Sequence, residues 1–398
     1  MIPDHDAPAP QDPAPEAPAS ARTSASASAS TPTPTSTPTS TPTSAFEAPA
    51  PHHPAPGAAS PPAATRAPST PGAAAPGALP APQVSDHPLP HLDAAALALL
   101  VPMGAAVDAV EDALVRGGLD PEAEPASNVI GLTGGQLLLM PSSTSSYAGV
   151  KVVTATPGNP ARGLPRIQGL YFLIDGDTHQ PLALLDGTAL TSLRTPAVSG
   201  AAIRRLAVPD AARLLVFGTG PQAWGHVEAV RAVRPGLAHV DVVGRDRERV
   251  AAFVDRCRAA GLTAAAATPQ DVAHADVVCC CTTAREPLFD SALLAPHATV
   301  AAVGAHEPDA REVDERLVGR ATVVAESRSV AMRECGDIVQ AVATARFDLG
   351  RLRTLRELAR GEVPVEAGRP RLFKSAGMAW EDLAVAVAAY EGWRAPVD

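Results

Sequence analysis

Hydrophobic positions along the chain keep two different rhythms. Around residue 89 the pattern becomes LDAAALALLVPMGAAVDAVEDALVRGG, an apolar helical periodicity that ends at a glycine pair. Short runs follow, QLLLMP, YAGVKVVTAT, GLYFLIDG and PLALLDG, separated by Gly, Pro, Asn and Asp turn signals. They predict a mainly antiparallel sheet. The segment TPAVSGAAIRRLA then reads as a helix, with Pro196 in its first turn and Thr195 as its cap.

Beyond Pro209 near-continuous apolar runs alternate with amphipathic ones: ARLLVFGTG, PQAWGHVEAVRAV, HVDVVGR, DRERVAAFVDRCRAAG, ADVVCCCTT, ATVAAVGA and ATVVAES. Strands that are apolar throughout, spaced by helices, predict a parallel sheet covered on both faces, a doubly wound Rossmann-type domain. The predicted fold class is therefore α/β, with an α+β domain beside it. A last helical pattern, SAGMAWEDLAVAVAAYEGW, closes the chain.

The turn after the first of these strands is FGTGPQAWGH. Gly218 and Gly220 precede Ala223, which supplies the small side chain needed where helix and sheet pack closely. Strand, glycine turn, helix and second strand together place a pyrophosphate at a helix N-terminus. In an NAD site the second strand normally ends in an acid that meets the ribose hydroxyls. Here Gly244 holds that position and Arg245 follows, which leaves room and positive charge for a 2′-phosphate. NADP is the expected cofactor and NAD the alternative. The other reading leaves Arg245 as a solvated charge and gives the ribose to Asp246.

Composition changes the picture at one end. The chain has 398 residues and 42 prolines, about half of them within residues 1–88, amid Ala, Ser and Thr and almost no large apolar side chain. That segment cannot bury enough surface to offset chain entropy, and we expect a disordered tail. A net charge of −10 gives no reason to expect nucleic acid. The opening MIPDHDAPAPQDP lacks the basic start and apolar run of a secretory signal, and no window reaches a membrane span, so a soluble, cytoplasmic protein is expected. Of the five cysteines, Cys279, Cys280 and Cys281 are consecutive in a strand, where neighbours point to opposite faces; packing rather than metal binding is expected of them.

The runs GVKVVTATPGNPARGLPRIQGLYFLIDG and LLDGTALTSLRTPAVSGAAIRRLA, then FGTGPQAWGH, VGAHEPDAREVD, ECGDI and FKSAGMAWEDLAVA, resemble the ornithine cyclodeaminase/mu-crystallin family from about residue 95 to the end. The resemblance implies a substrate-binding and dimerisation domain from residues 89–203 with 375–398, a Rossmann domain from residues 204–374, and a homodimer. It also implies hydride chemistry at a carbon bearing an amino or imino group. The family's substrate-binding lysine falls on Lys151 and its arginine on Arg194, both suited to a carboxylate. Phosphate-loop roles fall on Gly218, Thr219, Gly220, Pro221 and Gln222. Thr282 and Thr283 fall at the adenosine end; Ser375 and Gly377 fall on a segment that approaches the nicotinamide, with a helix cap as the other reading for Ser375. His226 also matches, but on the first turns of a helix it reads as packing or capping.

Three departures bear on the substrate. Ser127 stands where many relatives carry a carboxylate-gripping arginine, and Arg166 stands in a turn where it would restore that charge. His306 replaces the acid that ornithine cyclodeaminases carry after the same strand. A distal ammonium needs a carboxylate, so ornithine itself is disfavoured, whereas a cyclic imino acid makes no such demand. The leading expectation is NAD(P)H-dependent reduction of an α-imino acid such as Δ1-pyrroline-2-carboxylate, with Lys151 and Arg194 holding the carboxylate and Lys151 or His306 protonating the nitrogen. A cyclodeaminase and a non-catalytic ligand-binding protein are the alternatives.

Overall fold

The computed structural model describes residues 89–395 apart from residue 117, so the tail expected over residues 1–88 lies outside the described residues. Strand β1 (His91–Leu92) leads into α1 (Ala94–Leu100) and α2 (Met103–Val115). The single helical pattern read from the sequence is thus two helices, bent by 75° at their junction. Pro102 forces the break, because it offers no amide hydrogen and disfavours helical backbone at Val101.

A meander follows: β2 (Asn128–Leu132), β3 (Gly135–Ser143), β4 (Tyr147–Ala155), β5 (Ile167–Asp175) and β6 (Pro181–Asp186), in the order β1-β6-β5-β4-β3-β2 and antiparallel except for β1 on β6. Helix α3 (Gly187–Leu206) starts earlier than the sequence suggests. Its cap is Asp186, which accepts from the amides of Thr188 and Ala189 at 2.9 Å, so Thr195 is not a cap and Pro196 lies inside the helix. The proline is tolerated where α4 (Pro221–Val233) crosses: a Cβ on Gly225 would come within 2.7 Å of the Pro196 ring, and the Gln222 amide donates to the Thr191 carbonyl one turn before it.

The second sheet takes β7 (Arg213–Phe217), α4, β8 (His239–Val243), α5 (Arg247–Ala259), β9 (Thr263–Ala266), β10 (Val277–Cys280) and β11 (Thr299–Ala302). It continues through α6 (Glu315–Arg320), β12 (Thr322–Ala325), α7 (Arg328–Glu334), α8 (Gly336–Ala343), β13 (Arg353–Thr354), α9 (Leu355–Ala359) and β14 (Arg371–Lys374). All eight strands are parallel, in the order β13-β12-β14-β11-β10-β7-β8-β9. Strand order reverses beside β7, the place where doubly wound sheets bind ligands outside their carboxyl ends. Cys279 packs in the core on one face of this sheet and Cys280 in the core on the other. Helix α10 (Ala379–Arg394) leaves the second sheet and packs on β3 and β4 of the first and on α2 and α3. No single helix among the described residues is long and apolar enough to cross a membrane.

Candidate active site

Lys151 sits at the middle of β4, paired in register with Met140 on one side and Tyr171 on the other, on the sheet face that α10 covers. It is 1% exposed. An ammonium there requires a partner, and Asp382 on α10 accepts from its Nζ at 2.6 Å. Arg194, in mid-α3, reaches the same helix: Nη1 donates to Glu381 at 2.5 Å and Nε lies 3.3 Å from the other oxygen of Asp382. Gly377, at φ +86°, makes the approach feasible, because a Cβ there would stand 2.7 Å from the Arg194 guanidinium.

Glu381 in turn faces Glu326, which follows β12 and accepts from the Ser375 hydroxyl at 2.5 Å and from the amides of Ala376 and Gly377. Three carboxylates and two cations are thus buried together. Burial pushes the pKa of Lys151 down to about 8, helped by repulsion from Arg194 and resisted by Asp382. Burial and the neighbouring Glu326 push Glu381 well above the usual carboxylate range, against the pull of Arg194. Among the buried polar atoms here the Tyr171 hydroxyl lacks any partner, while Asp382 Oδ1 and Arg194 Nε face each other as an ion pair at 3.3 Å without forming a hydrogen bond. Such atoms are rare in packed interiors, and where they occur a polar ligand has groups to meet.

The glycine turn lies at the carboxyl end of β7. Gly218 has φ +111°, and a Cβ there would come within 2.6 Å of the Cys281 carbonyl, so glycine is required. Gly220 precedes α4, and a Cβ on it would meet nothing within 4 Å. Thr219 and Pro221 complete a turn whose open side faces the N-terminus of a 13-residue helix. These residues fit a dinucleotide pyrophosphate. At the end of β8 a Cβ on Gly244 would press on Val250 at 2.8 Å and Thr219 at 3.3 Å, which explains why no acid stands there. Asp246 is committed as the cap of α5, accepting from Glu248 and Arg249, whereas Arg245 is exposed and has no carboxylate partner among the described residues.

The remaining expected site residues divide. The Thr282 hydroxyl and amide both donate to buried Glu312, and Thr283 is exposed. The Gln222 side chain turns to α3, leaving only its backbone toward the turn. Ser375 does not cap α10, whose cap is Met378; its hydroxyl holds Glu326. His306 is exposed after β11, its Nδ1 3.3 Å from the Gly304 carbonyl. Arg166 precedes β5 by one residue and is exposed, five residues from Tyr171 and so roughly 16 Å along the strand from the register position of Lys151. The sheet geometry gives it no share in the cluster, and the missing arginine at Ser127 is not replaced from there. His226 is fully buried, its ring bridging the Gln222 carbonyl at 2.7 Å and Ser199 at 2.9 Å, and burial lowers its pKa to about 4.

Sequence reasoning missed Glu326, Glu381 and Asp382. The legible signal was the acid pair in AWEDLAVAV, since two adjacent carboxylates in an otherwise apolar helix call for buried partners.

A glycine turn at the switch point of a parallel sheet, together with a buried lysine and arginine on an adjoining sheet and helix, defines a dinucleotide-dependent enzyme built on two sheets. The chain belongs to the ornithine cyclodeaminase/mu-crystallin family, whose model matches residues 93–396. It is 34% identical over 298 residues to Delta(1)-pyrroline-2-carboxylate reductase 2 of Burkholderia ambifaria, covering 74% of this chain and 93% of the relative. Among solved structures it resembles the Thermococcus litoralis Delta(1)-pyrroline-2-carboxylate reductase in complex with NADH and L-proline, with a TM-score of 0.71, 30% identity, and coverage of 76% of this chain and 97% of that one. An archaeal alanine dehydrogenase dimer with bound NAD matches with a TM-score of 0.71, 29% identity, and coverage of 76% and 95%.

Proposed function

We propose that this protein is an NAD(P)H-dependent reductase of an α-imino acid, with Δ1-pyrroline-2-carboxylate as the model substrate. The observation that carries this reading is the meeting of Lys151 and Arg194 on Asp382, in a buried cluster with unsatisfied polar atoms. The relatives named above support the substrate class. When bound, the nicotinamide cofactor supplies a hydride for the imine carbon.

The chain's own residues orient, bind and protonate. Among the described residues the Nη2 of Arg194 has no protein acceptor, and that end of the guanidinium offers the substrate carboxylate a donor. Lys151, with its pKa near 8, is charged at neutral pH yet gives up its proton readily, as a donor to the imine nitrogen must. Asp382 holds it in place. His306 is exposed and serves as the second donor only through water. Backbone amides of the turn from Gly218 to Gln222 hold the pyrophosphate, and Arg245 meets a 2′-phosphate.

The first sheet with α10 forms the substrate lobe in this reading, and residues 204–374 form the nucleotide lobe. The outer face of the first sheet carries Val152 and Leu170 side by side, 38% and 47% exposed, with Leu139 beside them. An apolar face of this kind is suited to pairing with a second copy, as a homodimer. Five free cysteines agree with a reducing, cytoplasmic location.

The test is a spectrophotometric screen of purified protein with NADPH and NADH against cyclic imino acids. Oxidation of reduced cofactor with none of them would overturn the reading. Arg245→Ala is expected to weaken NADPH by about 10–100-fold and NADH little, since a charge-assisted phosphate contact contributes about 1.5–3 kcal/mol. Equal losses would assign NAD instead.

A further inference from the structure

Beside the Lys151 cluster lies a second polar group that the reaction as described does not use. Ser142 on β3 is the register partner of Gly149 on β4. Tyr171, from β5, lays its hydroxyl over Gly149 so closely that a Cβ there would stand 2.2 Å from it. The glycine is what makes room for the phenol.

On the other side of the same pair, the Ser142 hydroxyl donates at 2.9 Å to Glu124, which comes from the segment before β2. The Tyr171 hydroxyl and Glu124 therefore flank one position on the covered face of the sheet, two residues along β4 from Lys151. Both have spare capacity: the Tyr171 hydroxyl is fully buried without a partner, and so is the second carboxylate oxygen, Oε2, of Glu124. A tyrosine hydroxyl and a carboxylate rarely remain unsatisfied in a packed core, and two that adjoin a substrate cluster face the substrate together.

We infer that Glu124 and Tyr171 form a second substrate subsite, which recognises a hydrogen-bond-donating substituent, an amino or hydroxyl group, carried by the imino acid away from its carboxylate. This inference rests on the proposed reductase reading and narrows its substrate class. The groups that face the position set its character. Asp382 from α10 and Glu124 from the segment before β2 both put negative charge on Tyr171, and Lys151 from β4 is already held by Asp382. A ligand hydroxyl donates to Glu124 and accepts from the tyrosine, whereas a ligand ammonium donates to Glu124 and to the tyrosine oxygen. Burial raises the Glu124 carboxyl to about 7, so an arriving ammonium also ionises it fully.

The subsite supplies a carboxylate from a different direction than position 306, where the chain carries an exposed histidine.

The experiment is inhibition of imine reduction, with NADPH saturating, by L-proline and its 4-amino and 4-hydroxy derivatives in both ring configurations. For the wild-type protein at least one substituted proline is expected to inhibit about tenfold or more tightly than proline. Glu124→Gln and Tyr171→Phe are each expected to collapse that ratio to within about threefold of unity. A wild-type protein that reduces imines but shows no preference among the prolines overturns the subsite while leaving the reductase reading intact. A preference that survives both substitutions also overturns it. Absence of any imine reduction defeats the reductase reading itself. Should one variant fail to fold, the other still decides the ratio.

Discussion

Two lysines lie equally deep in this molecule and titrate in opposite directions. Lys151 and Lys374 are both about 1% exposed or less, and burial works against the charge of each. Around Lys374 that cost is more than offset by Asp337, Cys335 and Glu312, and its pKa rises. Its Nζ donates to the carbonyls of Ala305 at 2.6 Å and Ala302 at 3.3 Å, while Asp337 accepts the amides of Glu312 and Val313 and Glu312 accepts from Thr282 and Gly304. That network ties the loops after β10 and β11 to each other with protein partners.

Around Lys151 the balance is different. Arg194 repels it, Asp382 is shared between the two cations, and neighbouring polar atoms are left without partners. A buried cation whose opposite charges more than offset its burial makes a structural ion cluster. One that remains only partly compensated makes a site that can exchange a proton and accept an anion.

The widest test of this contrast exchanges function for stability. Lys151→Met should lower kcat/KM for imine reduction by about 10²–10⁴-fold with a cooperative thermal transition retained. Lys374→Met should destabilise by about 3–5 kcal/mol, since it leaves Asp337 and Glu312 buried without their cation. Chemical denaturation and steady-state kinetics on both variants measure this; a Lys374 variant of native stability would dissolve the distinction.

The pH dependence sharpens it. Reduction should decline as pH rises through about 8, where Lys151 loses its proton, and a profile flat to pH 10 would remove Lys151 as donor. Stability has the opposite sign for this residue. Its folded pKa lies below its unfolded value of 10.5, so the unfolded chain binds the extra proton between about 8 and 10.5, and the stability of wild type relative to Lys151→Met should climb across that window by up to about 3 kcal/mol. Lys374, with its pKa raised, contributes stability that is fully present below 10.5 and lost only at higher pH.

The smallest expected effects come from the glycine turn, where the same contrast recurs. Gly218→Ala should cost about 1–3 kcal/mol of stability, because the alanine meets both positive φ and the Cys281 carbonyl. Gly220→Ala should change stability by less than about 0.5 kcal/mol and weaken nucleotide binding by about tenfold or more. Calorimetric titration with NADPH separates the two; a Gly220 variant that binds normally would mean the nucleotide does not approach that backbone.

Much of the fold was legible because it is local. Alternation marked β3 to β6, and apolar runs marked β7, β8, β10, β11 and β12. Strand β14 was not legible: RLFK opens and closes on charged residues, yet it lies in mid-sheet between β12 and β11 with Arg371 and Lys374 buried. Nothing within four residues announces that their partners come from other strands. The site divides along the same line. Lys151, Arg194 and the glycine turn could be found by motif. The ion pair that makes Lys151 useful joins positions 231 residues apart, and the distance of Arg166 from the cluster follows from the register that sets Lys151 opposite Tyr171. Start points of helices were misread where a cap stood further upstream, as Asp186 does for α3.

The crossing of α3 and α4 sets a length standard inside the enzyme. At Gly225 the two helices approach until a single added methyl would collide with Pro196 at 2.7 Å, and at Gly200 α3 is fixed on its other neighbour, α2, where a methyl would stand 2.8 Å from Val107. One helix carries the arginine and the other begins at the nucleotide turn, so the span between those two landmarks behaves as a gauge block rather than a spring. A lineage that adapts to a longer or shorter substrate has to reshape what hangs from the block, the loops at the sheet edges and the segment bearing Glu124, because the block itself tolerates no machining.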